Sequence, residues 1–532
     1  MHSFRKHTLT VALGLALAAG STFAVAAPAS QSLTIAHATA IQDGDAVSGT
    51  LPISHPLHVT IALKLRNEAQ LDAAIAQHQV MSQQQFLATH APTSAQAQAV
   101  ADFLSQSGFK NVTIAPNRLL VSCDAPAGLV QRAFHTQMVS VHTHDGRVAF
   151  ANNSDIAIPA SLHGTVQSVL GLQTVHVPHP FVSVQGKPGG GGGGSIIGHD
   201  PTQFSGIYGG SGLPTAAGVS VGIITNGNLS ATLSDLNQFT SQHGLAAVTT
   251  QIVNTDGTGT DTSGTAEWDL DSQDIVGMGG GQVGKIIFYN IPTLVNSSMV
   301  DDFNTAVTAN VAKVINVSLG ECETSAQGDG SAAAADNIFK QAIAQGQTFS
   351  VSSGDSGANE CSSGGHKPGT TPSWPASSPN VVAVGGTTLN ATTTTWQGET
   401  VWSGTGGSPS TFEPIPSWQV GVGQNAGHTT RGVPDIAFDA DPNSGAKIIV
   451  NGSLAQYGGT SLASPLFVGF WARMIAAKGT GIGFAAPKLY ALPASAFHDV
   501  VSGSNGGETA AVGWDYTTGF GSIIMNQASG SL

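Results

Sequence analysis

Ser461 lies in Tyr457-Gly458-Gly459-Thr460-Ser461-Leu462-Ala463-Ser464-Pro465, ahead of the apolar run Leu466 to Ile475. The glycines allow a tight turn. The run predicts a helix starting near Ser461, with Pro465 in its first turn, where a missing N–H breaks no intrahelical bond. A serine so placed is exposed at the positive end of a helix, which suits a nucleophile; the same arrangement also serves as a plain helix cap. A nucleophilic hydroxyl needs a base. The five histidines beyond residue 194 are His199, His243, His366, His428 and His498, and none stands on an evident helix beside an acid.

Carboxylates fill that gap better. In Glu267-Trp268-Asp269-Leu270-Asp271, Glu267 and Asp271 are four apart and so stack on one helical face. Two close carboxylates resist joint ionisation, so the pair can hold and pass a proton. The alternative is a first helical turn that simply favours acids. A third acid, Asp355, stands in Gly354-Asp355-Ser356-Gly357, directly after the strand predicted at Thr348 to Ser352. Loops leaving the carboxyl ends of strands are where α/β sheets place their sites.

These residues need a frame that brings them together. Apolar segments at Val219 to Ile224, Ile286 to Tyr289, Val314 to Val317, Thr348 to Ser352 and Val381 to Val384 alternate with helical stretches such as Asp301 to Ala312 and Ala332 to Gln345. Buried strands alternating with helices predict an α/β domain with a largely parallel central sheet covered on both faces, spanning residues 195 to 532. Upstream, residues 27 to 188 contain an independent α+β module. A strand is expected at His58 to Leu63, helices at Glu68 to His78 and Ser94 to Gln106, and a hairpin around Asn117 between Val112 and Val121. A short helix is expected at Pro126 to Phe134, with Asp124 as its cap. Six glycines, Gly189 to Gly194, separate the two parts as a flexible connector open to proteolysis.

Composition bounds the function. Charged residues are 9 % of the chain, and 32 acids against 18 Lys and Arg give a net charge of -14, which excludes a nucleic-acid backbone as partner. The connector also divides the charge: 9 basic residues face 8 acids before residue 195, but 9 face 24 after it. Thirteen of the 18 histidines lie in the first part, a pattern expected of a cap released by pH, or of no functional consequence. Arg5 and Lys6, the apolar run Leu9 to Ala19 and the small-residue site Ala24-Val25-Ala26 read as a secretory signal over residues 1 to 26, too short to span a bilayer. The product is expected to be soluble, extracellular and monomeric. Of the three cysteines, Cys123 precedes the connector, whereas Cys322 and Cys361 follow it and form the natural disulfide pair.

The order of Glu267 with Asp271, Asp355 in Gly-Asp-Ser-Gly and Ser461 in Gly-Thr-Ser-x-x-x-Pro, behind a signal and a leading module, resembles the sedolisins, the serine-carboxyl peptidases. The resemblance covers almost the whole chain. It implies a subtilisin-like catalytic domain preceded by an activation pro-domain of the kumamolisin type. Trp268 matches the xanthomonalisin-like branch, whereas Leu319 stands where kumamolisin-like members have Trp. The implied roles are Ser461 as nucleophile, Glu267 as general base, Asp271 as the acid that tunes it and Asp355 as oxyanion partner. The implied product is a secreted, acid-acting endopeptidase made as a self-processing zymogen, with proteins and peptides as substrates and its own pro-domain as inhibitor or folding aid. Tripeptidyl exopeptidase action and a non-catalytic binding role are the alternatives. The resemblance also implies one structural calcium ion, held by side-chain oxygens of Asp499 and Asp515 and by the carbonyls of Val500, Ala511 and Gly513.

Overall fold

In the computed structural model the described residues are 32–184, 197–362, 369–478 and 482–532. The signal at 1 to 26 and the six glycines lie outside them.

The Pro56–Leu63 strand shows how one sequence pattern joins two domains. Successive strand side chains point to opposite faces. Val59, Ile61 and Leu63 enter the core of the amino-terminal module with Val100, Leu104, Val121 and Val130, whereas Ala62 joins the larger core of the second domain. The strand is central in an antiparallel sheet ordered Lys110–Ile114, Leu120–Pro126, Pro56–Leu63, Val166–Leu170. Full burial of each Val, Ile or Leu is worth about 1.5–3 kcal/mol, so neither face of this strand tolerates a register slip. The Ser94–Ser107 helix covers the module's own side. It starts at a capping box of Thr93 and Gln96 and ends at Gly108.

Several boundaries differ from expectation. The Glu68 helix stops at Ala76, and His78 turns back with φ 55°. The short helix runs Ala127–Ala133, but Asp124 does not cap it. That carboxylate instead accepts from Asn111 Nδ2 at 2.7 Å and meets His58 Nδ1 at 2.7 Å. The Gln83–Thr89 helix and the small sheet of Ala46–Thr50, Met138–His142 and Val148–Asn152 are additions to the expected module.

The second domain is built on an eight-stranded sheet. Its order is Thr250–Asn254, Val283–Ile291, Ala216–Asn226, Val314–Val317, Thr348–Ser352, Val382–Ala391, with Ile436–Asp439 and Trp396–Val401 both paired to the last. Every pairing is parallel except that of Trp396–Val401. The Thr265–Met278 and Thr460–Lys478 helices pack together on one side, and Asn296–Ala309 packs with Ser331–Ala344 on the other. The Asn296 helix starts five residues earlier than its apolar run suggested, because its first turn is polar yet buried.

The amino-terminal module docks on this second pair of helices. Thr60 Oγ1 donates to Asp301 Oδ2 at 2.7 Å, Asn117 Nδ2 donates to Asn304 and Gln341, and Lys340 pairs with Glu68 and Asp72. His58 Nε2 lies 3.7 Å from both Asp256 and Asp301. Asn117, expected as an ordinary turn residue, is fully buried in this junction. Cys322 and Cys361 are bonded, with Cα atoms 4.6 Å apart, while Cys123 is a free buried thiol.

Candidate active site

Glu267 and Asp271 lie on the first two turns of the Thr265–Met278 helix, and both are fully buried. Asp271 Oδ1 accepts from Ser318 Oγ at 2.6 Å. Asn316 Nδ2 donates to that hydroxyl at 2.9 Å, and Ser464 Oγ donates to Asn316 Oδ1 at 2.7 Å. This chain of bonds ties the Glu267 helix, the strand end and the Ser461 helix into one unit. Burial pushes both carboxyls well above the usual carboxylate range, and for Glu267 the Asp271 charge adds to it. The Glu267 carboxyl sits beside the Ser461 hydroxyl and the Val182 N–H, which favour its ionised form, without a fully formed hydrogen bond to either.

Ser461 is the second residue of the Thr460–Lys478 helix. Two expectations about it are corrected. The serine is fully buried rather than exposed, because residues 179 to 184 lie over it. Pro465 stands beyond the first turn, inside the helix. Its missing N–H leaves the Ser461 carbonyl without its usual helical donor. The Ser461 hydroxyl donates to Ser318 O at 3.5 Å.

Asp355 follows the Thr348–Ser352 strand by three residues. Its Oδ1 accepts from Thr460 N at 2.8 Å and Thr460 Oγ1 at 2.9 Å, and its Oδ2 from Ser183 Oγ at 3.0 Å. Burial of the carboxyl outweighs these donors, and the nearby Glu360 charge adds to it, so the pKa is pushed up to about 7. The four acids and alcohols are thus gathered around one cleft. The described histidines of this domain are engaged elsewhere: His199 against Phe204, His243 on Asp200, His428 against Tyr516 and His498 stacked on Trp396. His366 lies outside the described residues.

Sequence reasoning missed what fills the cleft. His179–Pro180 pairs antiparallel with Leu319–Cys322, and Ser183–Val184 pairs antiparallel with Ser453–Gly458. Leu319 is fully buried in this ladder opposite Pro180. The short apolar alternation of residues 179 to 184 just before the glycines was the only available signal. Ser318 and Asn316, the anchors of Asp271, were also unmarked, since buried serine and asparagine at a strand end have no distinctive spacing.

Of the expected calcium loop, Asp499 meets Gly513 and Asp515 meets Ala511. Asp499 Oδ2 accepts from Gly513 N at 2.9 Å, and Asp515 Oδ2 from Ala511 N at 2.8 Å, so both carboxylates converge on the 511–513 loop. Val500 and Asp515 are buried. Burial raises the Asp515 carboxyl pKa despite donors from Thr517 and Thr518, a site where a cation fits an all-oxygen donor set.

Residues 44–175 match the Pro-kumamolisin activation domain and residues 217–490 match the Subtilase family. The chain is 47 % identical to sedolisin of Pseudomonas sp. (strain 101) over 89 % of its length and 86 % of that protein's. Identity to xanthomonalisin of Xanthomonas sp. (strain T-22) is 44 %, over 96 % of this chain and 69 % of that protein. The solved structure of Pseudomonas sedolisin, a serine-carboxyl proteinase complexed with two molecules of pseudo-iodotyrostatin, superposes with a TM-score of 0.60 at 49 % identity. It spans 63 % of this chain and 98 % of that one, so the leading module is an activation domain placed before a subtilisin-like catalytic domain. The chain is therefore a serine-type peptidase that belongs to the sedolisin family of serine-carboxyl peptidases.

Proposed function

We propose that this protein is a secreted, acid-acting endopeptidase made as a self-processing zymogen, with Ser461 as nucleophile and Glu267 as general base. The endopeptidase reading is carried by the two-sided occupancy of the cleft. Residues 179 to 184 are held along Leu319–Cys322 at one end and along Ser453–Gly458 at the other. A tripeptidyl exopeptidase needs a barrier that stops the chain three residues before the cut bond, whereas the chain that reaches this site runs on upstream of His179 into the activation domain.

The chemistry follows from the environments. Glu267, once ionised, takes the Ser461 proton as the hydroxyl attacks a peptide carbonyl, then returns it to the departing amine. Asp271 holds the neighbouring negative charge or proton and is itself fixed by Ser318. Asp355 helps only while protonated, since its O–H can then donate to the developing oxyanion, whereas its anion repels that charge. With its carboxyl pushed up to about 7, it carries the proton in acid and loses it above neutrality. Asp499, Asp515 and the carbonyls of Val500, Ala511 and Gly513 would hold the structural calcium ion, which supplies a cross-link in the tail and no step of the reaction. The leading segment, residues 1 to 26, serves export. Among the described residues no helix is long and apolar enough to cross a membrane.

The test is to incubate purified precursor over a pH series with a folded protein substrate and to sequence the products. Internal cuts appearing only in acid are expected; successive amino-terminal tripeptides instead would establish the exopeptidase.

A further inference from the structure

Between the two ladders that hold residues 179 to 184 lies one peptide unit, Phe181–Val182, and its two polar atoms face different parts of the site. A Cβ placed on Gly459 would stand 1.8 Å from the Phe181 carbonyl oxygen and 2.7 Å from Asp355 Oδ2, so only glycine lets this oxygen approach Asp355. The Val182 N–H faces Glu267. A trans peptide points its C=O and N–H in opposite directions. The same unit therefore offers its oxygen to the oxyanion partner and its nitrogen to the base.

The register on either side fixes this choice. His179 pairs with Gly320 and Pro180 with Leu319, and Phe181 N continues the ladder by donating to Ser318 O at 3.3 Å. That carbonyl is also the one to which the Ser461 hydroxyl donates, so Phe181 and the nucleophile share an anchor. Past the gap, Ser183 pairs with Gly458 and Val184 with Tyr457. The Phe181 side chain is 2 % exposed and lies on Gly320, where a Cβ would come within 2.7 Å of the ring. His179 Nε2 stands 3.3 Å from Glu360 Oε1, fixing the strand two residues upstream. Shifting the chain by one residue would put Pro180 or Val182 where the ring now sits and would break both ladders.

We propose that Phe181–Val182 is the first bond this protein cleaves, in its own precursor, and that it is already seated for attack. The proposal rests on the roles given above to Ser461, Glu267 and Asp355. In the step, Ser461 Oγ bonds to the Phe181 carbonyl carbon and its proton passes through Glu267 to the Val182 nitrogen. The C–N bond breaks and Val182 leaves as a free amine. Water then adds to the Phe181 acyl carbon, its proton returns to Ser461, and the activation fragment ends in a Phe181 carboxylate. Any trimming at the glycines follows this cut.

The experiment is to purify the precursor at neutral pH, acidify it, and read intact masses and new amino termini from the earliest time points. A fragment ending at Phe181, with its partner beginning at Val182, is expected first. Replacing Phe181 by Asp is expected to slow that cut at least ~10-fold, since the ring's buried place rejects a carboxylate. The unsubstituted precursor carries the decisive reading, so a Phe181→Asp chain that fails to fold does not blunt it. A first terminus within Gly189 to Gly194, with Val182 absent and peptide hydrolysis normal, would overturn the bond and leave the peptidase reading intact. Absence of both self-cleavage and hydrolysis of an added peptide would overturn the peptidase reading, and the same Phe181 cut in a Ser461→Ala precursor would overturn the bond's assignment to this site.

Discussion

Behind Ser461 the protein buries Glu267 and Asp271 beside the Ser318 and Ser461 hydroxyls, the Val182 N–H and a further acid, Asp355, whereas at the domain junction Asp124, Asp256 and Asp301 surround a histidine. In the cleft, burial outweighs these donors and the carboxyls retain protons well above the usual range. At the junction, the adjacent Asp301 carboxylate and the hydrogen-bonded Asp124 outweigh burial of the imidazole, and the His58 pKa is raised to about 9. A cation among the acids makes the junction a binding contact; among the described residues none acts on Glu267 or Asp271, which leaves their protons available for chemistry. His58 is already charged at neutral pH, so this histidine is not the acid-triggered switch that the histidine-rich module suggested. Asp256, pushed up to about 7 by burial and the Asp301 charge, is the group there that changes state on acidification.

The largest expected effect tests the cleft. Ser461→Ala should abolish self-cleavage and reduce peptide hydrolysis by about 10⁴- to 10⁶-fold, leaving an intact folded precursor in mass spectra after acidification. Normal processing of that variant would end the assignment of Ser461. Asp355→Asn should lower peak activity by roughly 100- to 1000-fold or less, since the amide keeps a donor at the oxyanion, and should retain more activity than Asp355→Ala. The sign of its pH effect follows from the proton. The original enzyme loses its donor as pH rises through about 7, and Asn cannot, so the alkaline limb of kcat/KM should move upward. An unchanged limb would show that another group limits the enzyme. The acidic limb should stay, because the Glu267–Asp271 pair must still lose a proton before attack.

The tail presents a third way to settle a buried acid, by backbone N–H donors, and there the proposed calcium ion can be tested. Asp515→Ala removes the acceptor of Thr517 N, Thr518 N and Ala511 N and should destabilise by several kcal/mol with or without calcium, at about 1–3 kcal/mol for each stranded donor. Asp515→Asn is the sharper probe, since it keeps an acceptor and loses the charge. Calorimetry should show a chelator-induced fall of about 5 °C in the original protein at roughly hundredfold excess calcium over Kd, and little fall in the Asn variant. Equal falls in both would place the ion elsewhere.

The sequence made the sheet legible because each buried parallel strand is a short apolar run, and Val314–Val317 and Thr348–Ser352 fall where their apolar patterns put them. The helix starts and strand end that carry Glu267, Asp271, Asp355 and Ser461 were legible for a related reason, but local pattern alone also allowed plain caps, and the order of motifs shared with the sedolisins singled these residues out. Their burial was not, because it comes from residues 179 to 184, far from Ser461 in sequence and joined to it only by strand pairing. The docking face was hidden for the same reason. His58 and Thr60 occupy the polar side of an alternating strand, which reads as solvent-facing until a second domain covers it. Asp124 was misread as a helix cap because local spacing carries no record of a cross-strand histidine.

The smallest expected effect is at His58, and its pH dependence separates charge from packing. A histidine whose pKa is raised from 6.5 to about 9 by docking stabilises the docked state fully below about pH 6.5, and this contribution disappears as pH rises through 9. His58→Gln, made in Ser461→Ala precursor to prevent processing, should therefore lower the unfolding midpoint at about pH 6 by about 1–2 °C. Near pH 10 the two proteins should unfold together. The expected loss is only about 1 kcal/mol because the side chain is 35 % exposed and solvent screens its pairs. Thr60 still donates to Asp301 after the change, which limits the loss further. A deficit of the same size at every pH would mean that the imidazole acts by filling space, and the contrast between a cation-paired junction and a cation-free cleft would fail at its junction end.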